Sequence, residues 1–368
     1  MPERKIYSAN RIFTGESWLE NHAIITEDGQ IKKLIPLTSL PSSQHTRHFE
    51  NCIIAPAFID LQIYGAFGKL LAVYPETDAL VKLKDYCEKG GTAYCMPTVA
   101  TNTYEVFYKC IDAIRAYWKR GGEGIMGLHI EGPWINPVKK GAHIESLIHS
   151  PTLQQAKELI EYGKGVIKMI TLAPEVCTRE VIDLILSHHI IISAGHSNAT
   201  YNEARTGFAN GITAVTHLYN AMSPLQHRAP GLAGAAMDDS SVMASIIPDG
   251  YHVDFAAIRI AKKVMRDRLF VITDAVTATT EGYYKHVAAG DKYESAGILS
   301  GSALKMNEAV KNLVNHCGIE TGEALRMCSF YPAGVIGAAG KLGKLLPGYT
   351  AAIVVLDNNL EVVSIFRQ

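Results

Sequence analysis

Residues that bind metals or transfer protons stand at four widely separated places in the chain. Glu131, His196, His217 and Asp274 each lie at or just after the end of a short apolar run. Carboxylates and imidazoles are ligands of divalent metals, and a carboxylate can also carry a proton during hydrolysis. If these runs are strands whose ends meet on one face, the four side chains predict a metal site beside a proton-transfer group.

Each of these residues also has an ordinary structural explanation. A single buried histidine usually satisfies hydrogen bonds in a core, and Asp274 can serve as a helix N-cap. His129 alternates to the opposite side of its strand from Ile130, so we interpret it as a packing or supporting residue. Independent caps and core histidines would not be expected to supply ligand-type residues at four strand ends, which favours a shared function.

The elements that position these residues recur as a short apolar run followed by a helical stretch. Because the runs are continuously apolar rather than alternating, they are typical of strands buried on both faces. Eight such strands with helical crossovers predict an α/β fold, a parallel (β/α)8 TIM-like barrel whose active site lies at the carboxyl ends of the strands. The predicted strands are Ile53–Ile59, Thr92–Met96, Ile125–Ile130, Val166–Leu172, Ile190–Ala194, Thr213–Thr216, Val242–Ile247 and Leu269–Thr273.

The two ends of the chain contain short strands and turns instead, which predicts a small β-sandwich domain formed from both termini. The predicted division is 1–52 with 345–368 for this domain and 53–344 for the barrel. The interval from Val215 to Val242 is long and rich in Gly and Pro, so it should hold a functional loop as well as a helix. The other predicted helices are Asp78–Lys89, Thr103–Arg120, Leu153–Tyr162, Phe255–Arg266, Asn307–Cys317 and Thr321–Phe330.

Composition excludes several classes of function. The 368 residues include 35 Lys plus Arg and 36 Asp plus Glu, and a net charge of −1 offers no electrostatic surface for nucleic acid. We expect no membrane partner, because no apolar run is long enough to span a bilayer and Met1–Ile6 lacks the apolar core of a secretory signal. The 7 cysteines contain no C-x-x-C pair, so we expect reduced thiols and a cytoplasmic protein.

Several segments match a more specific pattern, which includes the sequences HIEGP, GHSNAT and THLYNAM. Each is weak alone, but together they are highly specific. The segments are Pro56–Gln62, Leu128–Trp134, Lys139–His143, Gly195–Ala199, Thr216–Met222, Asp249–His252, Thr273–Ala275 and Leu299–Ser302. Over essentially its whole length, the chain resembles the N-acetylglucosamine-6-phosphate deacetylases, a family of the amidohydrolase superfamily.

The resemblance implies one catalytic divalent metal held by Glu131, His196 and His217. Three protein ligands and a water form the open arrangement that a hydrolytic metal requires. Asp274 would act as the general base and then as the acid that protonates the leaving amine. His143 would hydrogen-bond the substrate and help to polarise its carbonyl.

The resemblance also implies a site for a phosphorylated sugar. Arg228 and His252 would supply its cationic part, since guanidinium donors can bind two phosphate oxygens, and Arg228 could come from the partner in a homodimer. The remaining implied substrate-binding residues are Gln62, Ala142, His143, Asn220, Ala221, Leu299, Ser300 and Gly301.

Two departures from other amidohydrolases favour a single metal. The H-x-H pair that holds a second metal is replaced by Gln62-Ile63-Tyr64, and no lysine that could bridge two metals follows Ala173-Pro174-Glu175. Gln62 fits the deacetylase family, whereas Tyr64 stands where the family commonly has Asn. Because of Tyr64, the surroundings of the metal or the sugar pocket are expected to differ from those of the family. The expected reaction is unchanged.

The expected activity is therefore metal-dependent removal of acetate from N-acetyl-D-glucosamine 6-phosphate, in amino-sugar catabolism. Zinc is the expected metal, with iron, manganese and cobalt as alternatives, because two histidines and one carboxylate suit all four. Three alternatives stay open. They are a deacetylase for the galactosamine epimer, another amidohydrolase such as a cyclic amidase or deaminase, and a non-catalytic sugar-phosphate-binding paralogue. The last would be expected to have lost the ligands that are present here.

Overall fold

The computed structural model describes residues 3–40 and 45–367. The described residues form two compact units, one within 1–60, 87–94 and 305–368 and the other within 61–86 and 95–304. The predicted domain boundaries, which were placed by sequence order, stay predictions. Residues 1, 2, 41–44 and 368 of the predicted small domain lie outside the described residues. Strands and helices are numbered below in chain order.

Strands from both ends of the chain form one sheet in the first unit. They are β1 (Arg4–Phe13), β2 (Trp18–Glu20), β3 (His22–Glu27), β4 (Gln30–Pro36), β5 (Arg47–Pro56), β19 (Ala352–Asp357) and β20 (Val362–Arg367). This seven-stranded sheet has the order β20-β19-β5-β1-β3-β4, and β2 pairs with β1. Its two faces bury separate apolar clusters, because the neighbours Ile24 and Ile25 point to opposite sides of β3.

The predicted barrel is confirmed as an eight-stranded sheet with the order β15-β14-β13-β12-β11-β10-β9-β6. Its strands are β6 (Phe58–Ile63), β9 (Thr92–Ala100), β10 (Leu128–Glu131), β11 (Ile167–Leu172), β12 (Ile191–Ala194), β13 (Ala214–Val215), β14 (Met243–Ile246) and β15 (Leu269–Val271). A parallel bridge between Ile63 and Ala275 and a 3.0 Å hydrogen bond from Asp274 N to Gln62 O join the two ends of this sheet. The carboxyl ends of the strands therefore surround one opening.

The first predicted barrel strand, Ile53–Ile59, was wrong in its placement. Residues up to Pro56 belong to β5 of the terminal sheet, and the barrel strand begins at Phe58. The chain passes from one sheet to the other across Ala57. Both strands are completely buried at this point, so the apolar run continues through the change of sheet and does not mark it.

Ten helices are found among the described residues, and six of them match the predicted intervals to within a few residues. They are α1 (Thr77–Lys89), α2 (Tyr104–Lys119), α3 (Leu153–Tyr162), α4 (Arg179–Ser187), α5 (Tyr201–Ala209), α6 (Gly231–Asp238), α7 (Phe255–Met265), α8 (Met306–Asn315), α9 (Thr321–Cys328) and α10 (Phe330–Val335). α6 is the helix expected in the Gly/Pro-rich interval. None of these helices is long and apolar enough to cross a membrane.

Two small sheets follow barrel strands. The hairpin β7 (Gly65–Ala66) and β8 (Lys69–Leu70) comes directly after β6. A three-stranded antiparallel sheet, here called the flap sheet, consists of β16 (Val287–Ala288), β17 (Lys292–Ser295) and β18 (Ile298–Ser302). It comes after β15, so it places residues of the 287–302 segment near the opening of the barrel: Ser302 forms a parallel bridge with Ala275.

Candidate active site

Four barrel strands deliver the predicted chemical residues to one cavity. Glu131 ends β10, whereas His196, His217 and Asp274 lie just after β12, β13 and β15. All four line a cavity of about 180 Å³ in the second unit, and each is at least nine-tenths buried. The strand-end positions predicted from the sequence thus meet in three dimensions.

The backbone at three of these positions is unusual. His196, His217 and Asp274 have φ angles of 47°, 35° and 54°, in the left-handed region that residues with a Cβ atom rarely adopt. Such conformations cost free energy and concentrate at functional sites, where the surrounding structure holds them in place. The three residues therefore have strained backbone conformations of the kind that concentrates at functional sites.

Three side-chain atoms converge as metal ligands would. His217 Nε2 lies 3.1 Å from Glu131 Oε1 and 3.1 Å from His196 Nε2, and His196 Nε2 lies 3.4 Å from Glu131 Oε1. Ligands bound tetrahedrally to zinc at its usual bond lengths are about 3.3–3.4 Å apart. The spacing of these three atoms therefore fits a single divalent metal of that size.

The tautomer of His196 also fits metal binding. Its Nδ1 lies 2.9 Å from the carbonyl oxygen of Lys139, to which it must donate a hydrogen. In the neutral ring, Nε2 then carries a lone pair that faces Glu131 and His217. His217 Nδ1 is buried without a hydrogen-bond partner among the described residues, so its Nε2 makes the only polar contacts of that ring seen here.

The cluster holds a buried negative charge. Burial would raise the pKa of Glu131, but the surrounding histidines outweigh it and hold that pKa well below its usual value. Burial would lower the pKa of His217, yet its hydrogen bond to Glu131 raises that pKa. The site thus keeps the carboxylate ionised, which a cation ligand requires.

His143 lies against the second oxygen of the same carboxylate. Its Nε2 donates to Glu131 Oε2 at 3.2 Å, and its Nδ1 lies 2.6 Å from Thr101 Oγ1. Burial, together with the charge of His196, lowers the pKa of His143 to about 4, so the ring is neutral near pH 7. The ligand-type atoms of Glu131, His143 and His196 lie within 4.8 Å of one another, which puts His143 at the edge of the metal-binding cluster.

Asp274 is linked to this cluster through Gln62. Gln62 Nε2 donates to Asp274 Oδ1 at 2.7 Å and lies 3.0 Å from Glu131 Oε1. Burial and the nearby charge of Glu131 raise the pKa of Asp274. A carboxylate with a raised pKa can both accept and return a proton at moderate pH. Gln62, predicted to bind substrate, does not line the cavity and lies behind these two carboxylates.

The cavity wall also contains a histidine paired with a carboxylate. His252 Nδ1 lies 2.6 Å from Asp249 Oδ2, and both side chains are largely buried. Burial would raise the pKa of Asp249, but the hydrogen bond and charge of His252 lower it. The other predicted site residues that line this cavity are Ala142, Asn220, Ala221, Leu299, Ser300 and Gly301.

Arg228 does not reach this cavity within the chain. It is exposed, and it lines a separate surface pocket with Thr200, Tyr201 and Gln226 among others. The Gly/Pro-rich loop before α6 carries it. Its predicted phosphate contact is therefore absent from this chain's own cavity.

His129 lies in the barrel interior and does not line the cavity. Its Nδ1 donates to Leu61 O at 3.1 Å, so its Nε2 accepts from Thr171 Oγ1 at 2.7 Å. Thr171 Oγ1 is bonded in turn to Thr216 Oγ1 at 2.7 Å. Burial lowers the pKa of His129 to about 4. This placement agrees with the interpretation of His129 as a supporting residue.

Glu175 fixes the loop that carries His196. It accepts hydrogen bonds from Ser197 Oγ and Asn198 N, both at 2.7 Å, and from Asn136 Nδ2 at 3.0 Å. Asn136 N also donates to His196 O at 2.9 Å. The carboxylate therefore joins two loops that flank the site and restricts the position of His196.

Sequence reasoning missed several residues of the cavity wall, among them Tyr284 and His286. Tyr284 donates to Thr101 O at 2.7 Å, and His286 Nδ1 lies 2.8 Å from Ser300 Oγ. They precede the flap sheet in an irregular segment without periodicity. In the sequence, only their closeness to Asp274 could have pointed to them. Closeness in sequence does not by itself distinguish a residue of a cavity wall from one in an exposed loop.

Comparisons with known proteins give a consistent result. A model of the amidohydrolase family matches residues 53–367, and a model described as the NagA composite domain matches residues 8–50. An N-acetylgalactosamine-6-phosphate deacetylase of Escherichia coli O157:H7 is 31% identical over 99% of this chain and 98% of its own length. An N-acetylglucosamine-6-phosphate deacetylase of Haemophilus influenzae is 32% identical over 96% of this chain and 95% of its own length.

Solved structures agree with these relatives. The N-acetylglucosamine-6-phosphate deacetylase of Pasteurella multocida superposes with a TM-score of 0.93 at 32% identity, over 99% of this chain and 98% of that one. A mutant of the Mycobacterium smegmatis enzyme, solved with N-acetyl-D-glucosamine 6-phosphate, superposes with a TM-score of 0.91 at 26% identity over the same shares.

Proposed function

This chain belongs to the amidohydrolase family, and on that premise we propose that it hydrolyses the acetamide of N-acetyl-D-glucosamine 6-phosphate to D-glucosamine 6-phosphate and acetate. The observation that carries the proposal is the convergence of Glu131 Oε1, His196 Nε2 and His217 Nε2 beside Asp274 in one cavity. Enzymes of similar sequence and fold are named for their action on this substrate. We therefore expect the reaction to belong to amino-sugar metabolism.

Glu131, His196 and His217 would hold the metal in this proposal. Their donor atoms have tetrahedral spacing, and Lys139 O selects the ligating tautomer of His196. When bound, a divalent metal there supplies a Lewis acid that polarises the amide carbonyl and makes water more acidic. Zinc is proposed first, and the donor set also suits iron, manganese and cobalt. Gln62 and Tyr64 stand where a second metal would need two imidazoles, so we propose one ion per subunit.

Asp274 would transfer the protons of the reaction. Gln62 Nε2 holds Asp274 Oδ1 at 2.7 Å, which leaves the other oxygen to take a proton from the attacking water. The C–N bond breaks as the same carboxyl returns this proton to the departing amine nitrogen. Because burial raises the pKa of Asp274, its carboxyl can hold the proton between the two steps.

His143 and His252 would bind the two ends of the substrate. The neutral His143 ring can turn its Nε2–H from Glu131 to the amide carbonyl oxygen. His252 is oriented through Nδ1 by Asp249, and its Nε2 is proposed to bind the phosphate. Arg228 is proposed to complete the phosphate site of the partner in a homodimer, which would explain its exposure outside this chain's own cavity. We also propose a cytoplasmic location, supported by the free thiols.

A second candidate is the same reaction on N-acetylgalactosamine 6-phosphate. An N-acetylgalactosamine-6-phosphate deacetylase is 31% identical over 98% of its own length, close to the 32% of an N-acetylglucosamine-6-phosphate deacetylase. The two sugars differ in the orientation of one hydroxyl, and the residues proposed for the metal and for proton transfer would serve both.

Acetate release is the test. The purified protein is assayed with N-acetylglucosamine 6-phosphate, its galactosamine epimer and unphosphorylated N-acetylglucosamine, each with and without a chelator and after zinc is added back. We expect release that is sensitive to the chelator, restored by zinc and confined to phosphorylated sugars. Metal content by mass spectrometry should approach one ion per chain.

Other outcomes separate the parts of the proposal. Equal release from the phosphorylated and unphosphorylated sugars would refute the phosphate site. Faster release from the galactosamine epimer would favour the second candidate. No release from any sugar by the zinc-loaded protein would point to another amide substrate.

A further inference from the structure

Tyr64 touches the metal-binding cluster through a contact that none of the proposed roles uses. It lies just beyond β6, two residues after Gln62, and is partly buried in the cavity wall. Its hydroxyl donates a hydrogen bond to Glu131 Oε2 and accepts one from Gln62 Nε2 at 2.8 Å. Gln62 therefore orients the hydroxyl of Tyr64, and this hydroxyl points at Oε2 of Glu131.

The two oxygens of Glu131 have different surroundings. Oε1 faces the Nε2 atoms of His196 and His217 at 3.4 and 3.1 Å. Gln62 Nε2 also lies 3.0 Å from Oε1, but its two hydrogens are shared with Asp274 Oδ1 and the Tyr64 hydroxyl. Oε2 faces the donors of Tyr64 and His143 instead. A carboxylate oxygen that accepts two hydrogen bonds is a poorer metal ligand, so this arrangement favours coordination through Oε1 alone.

The two donors to Oε2 are not equivalent in the proposed reaction. His143 is the group proposed to turn towards the substrate carbonyl, which would remove its hydrogen bond from Oε2. Tyr64 has no such second task, and Gln62 keeps its hydroxyl in place. One donor therefore stays on Oε2 through the whole reaction.

We propose that Tyr64 is a positioning residue that keeps Glu131 a one-oxygen ligand of the metal. This inference rests on the proposed metal site. Hydrogen-bonding partners of metal ligands typically contribute 10- to 100-fold in metal affinity. Without the phenol hydroxyl, Glu131 can rotate and offer both oxygens or neither.

The test compares two variants that each lose one phenol hydroxyl from the same cavity. Y64F removes the donor to Glu131, whereas Y284F removes a donor to the carbonyl oxygen of Thr101 and serves as the matched control. Metal-free proteins are titrated with zinc against a chromophoric chelator. We expect Y64F to bind zinc about 10- to 100-fold more weakly than the unaltered protein and Y284F to bind within about threefold.

Cobalt(II) gives a second readout that does not depend on activity. Visible absorption of cobalt(II) weakens when its coordination number rises, so a two-oxygen Glu131 should lower the intensity in Y64F and leave Y284F unchanged. Circular dichroism checks the fold. Tyr64→Leu, which also lacks the phenol, is the second variant should Y64F be too unstable to titrate.

The outcomes distinguish the two proposals. Equal zinc affinity and equal cobalt spectra in Y64F and the unaltered protein would overturn the role of Tyr64 while the metal site stands. An unaltered protein that binds neither zinc nor cobalt would overturn the metal site itself, and the role of Tyr64 with it.

Discussion

At the scale of single residues, the site depends on which atom of each side chain faces which neighbour. Gln62 Nε2 lies within hydrogen-bond distance of both Asp274 Oδ1, which is 212 residues away in sequence, and Glu131 Oε1. Lys139 O sets the tautomer of His196. The two buried carboxylates have opposite pKa shifts: the surrounding histidines outweigh burial and lower the pKa of Glu131, whereas burial and the charge of Glu131 raise the pKa of Asp274. One carboxylate is thereby suited to binding a cation and the other to moving protons.

Asp274→Asn tests this division of roles. The amide oxygen can still accept from Gln62, so metal content and substrate KM should stay close to normal, but the side chain can no longer take a proton. We expect kcat to fall by about 10²- to 10⁴-fold. Steady-state kinetics with metal analysis measures the effect, and D183N on the exposed face of α4 is the control. Full activity in D274N would remove Asp274 from the mechanism.

At the scale of elements, a buried histidine stabilises the flap sheet. His286, just before β16, bonds Ser300 of β18 at 2.8 Å and is 6% exposed. Its ring stacks at 11° to that of Tyr284, 6.1 Å away. Burial lowers the pKa of His286 to about 4 from the ordinary 6.5. The stability that this buried ring contributes should therefore be sensitive to acid.

The sign of this pH dependence follows from proton binding. Between pH 6.5 and about 4 the unfolded chain protonates His286 and the folded chain does not, so stability falls as the pH falls through this window. Relative to H286N, the unaltered protein should lose about 2–3 kcal/mol of unfolding free energy between about pH 7 and pH 4.5. Urea unfolding at both pH values measures this difference.

The control is H227N, which replaces an exposed histidine and should change with pH as the unaltered protein does. If H286N and the unaltered protein lose the same unfolding free energy between about pH 7 and pH 4.5, the folded protein protonates His286 as readily as the unfolded chain does. This result would contradict the explanation that the buried His286 ring makes the protein sensitive to acid.

At the scale of the whole molecule, the question is whether one chain contains a complete site. The residues proposed for the metal, for proton transfer and for the phosphate end at His252 all line one cavity in the second unit. Arg228 lies outside it, on an exposed loop. A second copy of the chain is the proposed way to bring this cation to a substrate phosphate, since symmetric pairs exchange equivalent residues.

Mixing two inactive variants tests the exchange. R228A and D274N are each expected to be nearly inactive on the phosphorylated sugar. After they are unfolded and refolded together in equal amounts, mixed dimers would contain one intact site, and activity should recover to about a quarter of that of the unaltered protein. Light scattering establishes the dimer. Activity of the mixture no greater than the mean of the two variants would place Arg228 outside the partner's site.

Much of the site could be predicted from the sequence because chemistry and topology coincide in a parallel barrel. Glu131, His196, His217 and Asp274 follow apolar runs, and parallel strands in a closed sheet must bring such ends to one face. The eight runs and most helices were likewise visible as patterns of apolarity. The separate character of the two chain ends was also evident, since their short strands and turns lack the strand–helix alternation.

Only the tertiary structure decided which side chains meet and through which atoms. Tyr64 and His286 have no periodicity that predicts their contacts, and Arg228 carries no sign that it lies away from its own cavity. The change of sheet at Ala57 was hidden because both strands are equally buried. A sequence pattern reports burial and chain direction, whereas contacts between distant residues depend on barrel closure and loop conformation, which local residue types do not encode.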